Sequence, residues 1–385
     1  MTSMVFAGGG TGGHVFPLIA VADAVRALAP EIALVFVGTE RGLETKVVPE
    51  RRYALELLRV LPMRGNGIAG AVRGAAQALS AIPKARALLA RHTPSVVFSI
   101  GGYAAGPISV AARSLGIPLA LMEPNSAIGL ANRLVAPLVE RAYTAFPESE
   151  RHFSPARVLR TGVPLRDGFR PVAYEPGAEL RVLVLGGSQG AASLNDAVPR
   201  ALAAVKTRVS VVHQAGAGKD EVVRALYAEL GRASIARVVP FIDDMPRALA
   251  AADLVIGRAG AGAVAEICAV GRPSLLIPYP YAGDHQRHNA EWLAREGAAV
   301  MVLAREATVP RLLTELGRLA AEGTLLRRMA KDATRLGRPD AALVIARDLL
   351  RLAGAHGRGH NGAIYVPRDD AAGGERLATS TERSA

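Results

Sequence analysis

Gly8-Gly9-Gly10-Thr11-Gly12-Gly13-His14-Val15-Phe16-Pro17 follows the short apolar run Ser3 to Ala7 and opens into a helical pattern that reaches Leu28. Glycines around one threonine let the backbone turn tightly and approach a ligand, leaving N–H groups pointing outward at a helix start. The spacing Gly8-x-Gly10-x-x-Gly13 also satisfies the dinucleotide fingerprint, which is weak evidence on its own. Ile32 to Val37 reads as the next strand, ended by Gly38-Thr39. Strand, glycine turn, helix and strand compose a right-handed βαβ unit, the start of a doubly wound α/β sheet.

The same grammar returns later. Ser95 to Ile100 is a buried-strand pattern closed by Gly101-Gly102-Tyr103, and Pro118 to Met122 ends in Glu123-Pro124-Asn125. The carboxylate and amide of that ending are either turn formers or polar groups aimed at a ligand. Between Arg160 and Ala178 the chain is rich in Pro, Gly and charge, which marks a linker. Arg181 to Leu185 then starts a second strand, glycine loop (Gly186-Gly187-Ser188-Gln189-Gly190) and helix. Strands follow at Ser210 to Gln214, Ala236 to Pro240, Leu254 to Gly257 and Ser274 to Pro278, and a helical pattern runs from Ala307 to Leu352. The expectation is two Rossmann-like domains in tandem, residues 1–162 and 163–352, with a disordered tail over 353–385. Neither glycine loop ends in Gly-Lys-Ser/Thr, which argues against a P-loop hydrolase.

At 385 residues the chain is long enough for two cores. Half of its residues are hydrophobic and 21% are charged, but no apolar run reaches the roughly 18 residues of a spanning helix. No charged n-region precedes the first strand, so a cytoplasmic chain is expected. The lone cysteine, Cys268, sits in an apolar helical context and reads as a core residue. A net charge of +12 favours phosphorylated substrates or anionic lipid. Few aromatics and no zinc-finger spacing argue against nucleic acid. Arg51 to Arg91 holds eight Lys or Arg against one acid, Glu56, interleaved with leucines. It reads either as a solvated helix face or as a patch resting on a membrane of anionic lipids.

The second half carries the richer constellation. Small residues from Ala259 to Ala263 let a helix start come close to a diphosphate. Glu266, about one turn in, is placed to accept hydrogen bonds from a ribose diol, or merely to complement the helix dipole. Gln286 and Asn289, with Asp284, offer the mixed donors and acceptors a sugar needs, and Ser188 could hold another part of the same nucleotide. His14, as a bare loop histidine, reads as structural or anion-contacting.

These motifs in order, together with Gly162-Val163-Pro164-Leu165-Arg166 and Phe241-Ile242-Asp243-Asp244-Met245, resemble the MurG family of bacterial glycosyltransferases over residues 3 to 352. The resemblance implies the GT-B architecture: two Rossmann-like domains facing a cleft. It implies inverting transfer of N-acetylglucosamine (GlcNAc) from UDP-GlcNAc to the C4 hydroxyl of the lipid-linked muramoyl-pentapeptide (lipid I), giving lipid II, without metal or cofactor. By the same resemblance His14 is the base. Glu266 binds the ribose, Ile242 meets the uracil through its backbone, and Ser188 with the Ala261, Gly262, Ala263, Val264 and Ala265 turn meets the diphosphate. Gln286 reads the sugar, Asn125 and Arg166 line the donor cleft, Thr11, Gly12 and Gly13 reach the donor, and Gly102 and Tyr103 lie on the acceptor side. Implied partners are the anionic cytoplasmic face of the cell membrane, where the protein is peripheral, and other cell-wall synthesis proteins. A diacylglycerol glycosyltransferase and a UDP-GlcNAc 2-epimerase or hydrolase share the fold and stand as alternatives, as does a non-catalytic nucleotide-sugar sensor.

Overall fold

A computed structural model describes residues 2–60, 68–102, 104–187, 189–280 and 284–357, without the side chains of 68–77 and 355–357. The expectations for Tyr103, Ser188, the tail beyond 357 and much of the basic segment lie outside the described residues.

Two all-parallel sheets organise the chain. The first contains β1 (Ser3–Gly8), β2 (Ala33–Thr39), β3 (Ala54–Leu58), β4 (Pro94–Gly101), β5 (Leu119–Glu123), β6 (Arg141–Thr144) and β7 (Val158–Arg160) in the order β3-β2-β1-β4-β5-β6-β7. The second contains β8 (Leu180–Leu185), β9 (Val209–Gln214), β10 (Ala236–Val239), β11 (Leu254–Gly257), β12 (Ser274–Leu276) and β13 (Ala299–Met301) in the order β10-β9-β8-β11-β12-β13. Every residue of β1 is buried, as expected of a central parallel strand covered on both faces. Phe6 stacks on Phe36 at 5.3 Å and meets Phe98 edge-on at 5.7 Å, which locks β1 against both neighbours.

Strand order reverses between β1 and β4, and again between β8 and β11. Open parallel sheets place ligands at such switch points, beyond the carboxyl ends of the strands. The loops found there are 8–11 and 101–102 in the first half, and 186–187, 189–190 and 257–260 in the second.

Helices cover both faces of each sheet. On one face of the first sheet the helix Gly12–Leu28 shares a core with the last helix, Ala341–Gly357, through Val21, Val25, Ile345 and Leu349. The last helix therefore belongs to the first core, and the expected continuous second unit of 163–352 loses it. Asp348 anchors this return: it accepts from the Tyr143 hydroxyl at 3.0 Å and pairs with Arg141 at 2.8 Å. The opposite face carries the helices Ile68–His92, Ala105–Ser114 and Leu130–Val135.

Arg272 is 1% exposed and has carbonyls as its partners, those of Leu249, Ala250, Val270, Gly271, Val172 and Ala173. It straps the linker to the second sheet. A buried guanidinium satisfied by main-chain oxygens leaves no sequence signature.

Candidate active site

The opening loop turns because Gly10 adopts φ 100°, which side-chain-bearing residues rarely adopt. The helix that follows has an extended Thr11 at its N-cap without a side-chain cap. Its first N–H groups, those of Gly12 and Gly13, thus have no intrahelical partner and are available to an anion. Gly102, at φ 92°, lies against the backbone of Gly9, where a Cβ would meet the Gly9 carbonyl, so the second glycine turn backs the first.

His14 sits in the first turn of that helix. Its Nδ1 is buried, and burial lowers its pKa below the ordinary histidine range, with His285 acting in the same direction. The Gly9 backbone and the Glu44 charge act in the opposite direction. The result is an imidazole neutral near pH 7, the form able to accept a proton.

The facing wall comes from the second half. The helix Ala261–Val270 starts after an extended Gly260, also without a side-chain cap. Ala261 and Ala265 pack against the first core, so this helix start meets the other half directly. Val264 is buried, whereas Ala261, Gly262, Ala263, Ala265 and Glu266 retain partial exposure. Burial pushes the Glu266 carboxyl up to about 7, against the opposing pull of Arg166. Arg166 lies 5.8 Å from the Phe16 ring and 5.9 Å from the Phe169 ring, so its charge stands between the two halves.

Several polar groups anticipated as ligand contacts have protein partners. Gln286 accepts on Oε1 from the N–H groups of Ala259 (3.2 Å) and Tyr279 (3.0 Å), which leaves its Nε2 as the donor for a ligand. The Ile242 N–H donates to the buried Gln214 at 3.1 Å, so its carbonyl is the group left for a base. Asn289 is fully buried and clasps the halves: Oδ1 accepts from the Ser126 N–H at 2.9 Å, and Nδ2 donates to Ala259 and Asn125. Asn125 also donates to Glu123, so its side chain joins this clasp.

Glu123 resolves as a turn former. It is 1% exposed and accepts from Asn125, Gly129 and Asn132, while burial drives its pKa upward. The loop it shapes receives His285 from across the cleft, whose Nδ1 donates to the Ala127 carbonyl at 2.9 Å. Sequence reasoning missed Glu44, Gln214 and His285 as parts of this site. His285, between Asp284 and Gln286, was the one with a signal, because both neighbours already read as polar groups after a strand.

Comparison with known proteins bears on these features together. The family model for the glycosyltransferase family 28 N-terminal domain matches residues 4–144, and that for the C-terminal domain matches residues 181–345. A protein of Sorangium cellulosum named UDP-N-acetylglucosamine–N-acetylmuramyl-(pentapeptide) pyrophosphoryl-undecaprenol N-acetylglucosamine transferase is 58% identical over 92% of this chain and 89% of its own length. A Pelobacter propionicus protein of the same name is 40% identical over 90% of this chain and 98% of its own. The crystal structure of Acinetobacter baumannii MurG superposes with a TM-score of 0.76 at 30% identity, covering 91% of this chain and 99% of that one. A UDP-GlcNAc 2-epimerase of Neisseria meningitidis, at 13% identity and a TM-score of 0.65, shares the fold alone.

Proposed function

The chain belongs to glycosyltransferase family 28 and is an N-acetylglucosaminyltransferase of peptidoglycan synthesis with the GT-B fold; we propose that it joins GlcNAc from UDP-GlcNAc to the muramoyl C4 hydroxyl of lipid I across the cleft just described. The observation that carries this reading is the meeting of two uncapped helix starts, one from each half, with His14 on one and Glu266 on the other.

Inverting displacement needs a base on the acceptor side and stabilisation of the departing diphosphate. His14, neutral and carried by the first-half loop, takes the proton of the acceptor hydroxyl as that oxygen bonds to the anomeric carbon. The bond to the diphosphate breaks, and its electrons leave with UDP. The N–H groups at Ala261 to Ala263 and the Arg166 guanidinium meet that growing charge. Ionised Glu266 accepts from the ribose hydroxyls, and Gln286 donates to the sugar.

The acceptor's lipid calls for a membrane surface. Leu79, Val110, Leu130 and Leu134 are exposed on the three helices covering one face of the first sheet, with Lys84, Arg113 and Arg133 exposed on the same helices. Such a face suits peripheral contact with anionic lipid. Among the described residues no helix is long and apolar enough to cross a membrane.

The direct test supplies labelled UDP-GlcNAc with a short-chain lipid I analogue, with diacylglycerol, or with no acceptor. Transfer to the lipid I analogue supports the proposal. Transfer to diacylglycerol, or UDP release without acceptor, overturns it. His14→Ala is expected to lower kcat by 100- to 10,000-fold while leaving UDP-GlcNAc affinity within about twofold; normal turnover removes His14 from the mechanism.

A further inference from the structure

Glu44 has no part in the chemistry assigned above, yet its carboxylate lies beneath the glycine loop that precedes His14. It begins the helix Glu44–Glu50 and is 2% exposed. Its oxygens serve two segments: Oε2 accepts the Gly10 N–H at 2.8 Å, and Oε1 accepts the Thr39 N–H at 2.8 Å and the Thr39 hydroxyl at 3.0 Å. Three glycines leave the room it occupies, because a Cβ at Gly9, Gly38 or Gly42 would collide with the carboxylate. Among the described residues none of its contacts is a cation within ion-pair distance. A buried carboxylate without a cation is a costly way to hold a turn that a neutral side chain could hold. Its place under the loop of the base gives the charge a use.

We propose that Glu44 is a positioning residue for the transfer reaction: it fixes the Gly9–Gly10 turn so that His14 meets the acceptor hydroxyl, and its charge supports the imidazolium formed when the proton arrives. The proposal rests on the reading of His14 as base. Two titratable groups act on that ring among the described residues, Glu44 from its helix and His285 from the helix His285–Arg295. Glu44 favours the protonated ring and His285 disfavours it. Removing the Glu44 charge therefore shifts His14 toward lower pH, which a purely structural role would not do.

Glu44→Gln keeps the shape, loses the charge and sets an amide N–H against the Gly10 N–H or the Thr39 donors. The expected result is a kcat at least tenfold lower, a donor KM within twofold of wild type, and an acid limb of the pH–rate profile moved to lower pH. Nuclear magnetic resonance titration of the His14 ring should move the same way. Glu44→Asp retains the charge at a shorter reach, so its kcat should fall while the acid limb stays in place; it carries the kinetic test if the glutamine variant does not fold. Wild-type kcat in the aspartate variant overturns the positioning role, and a His14 titration unchanged in Glu44→Gln overturns the electrostatic one. His14→Ala with normal turnover sinks the base assignment separately, because the ring titration does not depend on turnover.

Discussion

Lowering the pH should weaken donor binding through Glu266 alone. Burial places this carboxyl at about 7, against an ordinary value of 4.5. A ribose diol donates two hydrogen bonds; the ionised carboxylate accepts them on two oxygens as charge-assisted bonds, whereas the protonated acid turns one oxygen into a donor. At pH 6 about one molecule in ten carries ionised Glu266, and at pH 8 about nine in ten. If binding selects that form, the apparent Kd for UDP-GlcNAc at pH 6 is roughly tenfold weaker than at pH 8. Binding at pH 6 should then release close to one proton, visible by calorimetry as a dependence of the heat on the buffer's ionisation enthalpy. The titration uses the full chain and UDP-GlcNAc without acceptor, so no chemical step contributes. Glu266→Gln loses charge-assisted bonds of about 1.5–3 kcal/mol, giving a Kd roughly 10- to 100-fold weaker at pH 8. Its Kd should also be flat with pH. A wild-type Kd constant from pH 6 to 8, or the same slope in Glu266→Gln, would refute the assignment of Glu266 to the ribose.

The same carboxyl predicts a trade of stability for binding. Its raised pKa means that ionisation opposes folding, a penalty that grows as pH climbs from about 4.5 to 7 and is full above that range. Glu266→Gln should therefore be more stable than wild type at pH 8, by roughly 1–2 kcal/mol after discounting for partial exposure, with little difference at pH 5, measured by thermal melts. Arg272→Met leaves up to six buried carbonyls without their donor and should cost about 3–5 kcal/mol, lowering Tm by about 10 °C. Leu130→Glu combined with Leu134→Glu should abolish sedimentation with anionic vesicles while leaving transfer to a water-soluble acceptor analogue unchanged; undiminished vesicle binding would place the membrane face elsewhere.

The central strands were legible because burial on both faces writes continuous apolar runs such as Met4 to Ala7 and Leu254 to Ile256. Four strands toward the sheet margins were not. Ala54–Leu58 reads Ala-Leu-Glu-Leu-Leu, a helix former's composition, and pairing with β2 overrides that propensity. Arg141–Thr144, Val158–Arg160 and Ala299–Met301 are too short to show a period. In the site, the glycine loops and Glu266 stood out because each joins a residue type to a position at a strand end, whereas His14 alone read as structural or anion-contacting and drew its role as base from the family resemblance. Glu44 and Gln214 were not, since their meaning lies in partners 34 and 28 residues away, Gly10 and Ile242. Asn289 was read as a sugar contact because nothing local reveals that Ser126 and Asn125 claim its amide.

The return of the last helix to the first core has a consequence for synthesis. Ala341–Gly357 supplies Ile345, Ala346, Leu349 and Leu350 to a core otherwise built by the first half. It leaves the ribosome about 180 residues after the strand Val158–Arg160, a delay of roughly 10–40 s at typical elongation rates. Through that interval the nascent first half presents an uncovered apolar groove beside the helix Gly12–Leu28, and the second half can complete itself before the first. Order of birth and order of maturation are thus inverted in this chain. The helix Gly12–Leu28, among the earliest segments made, is among the last to be covered.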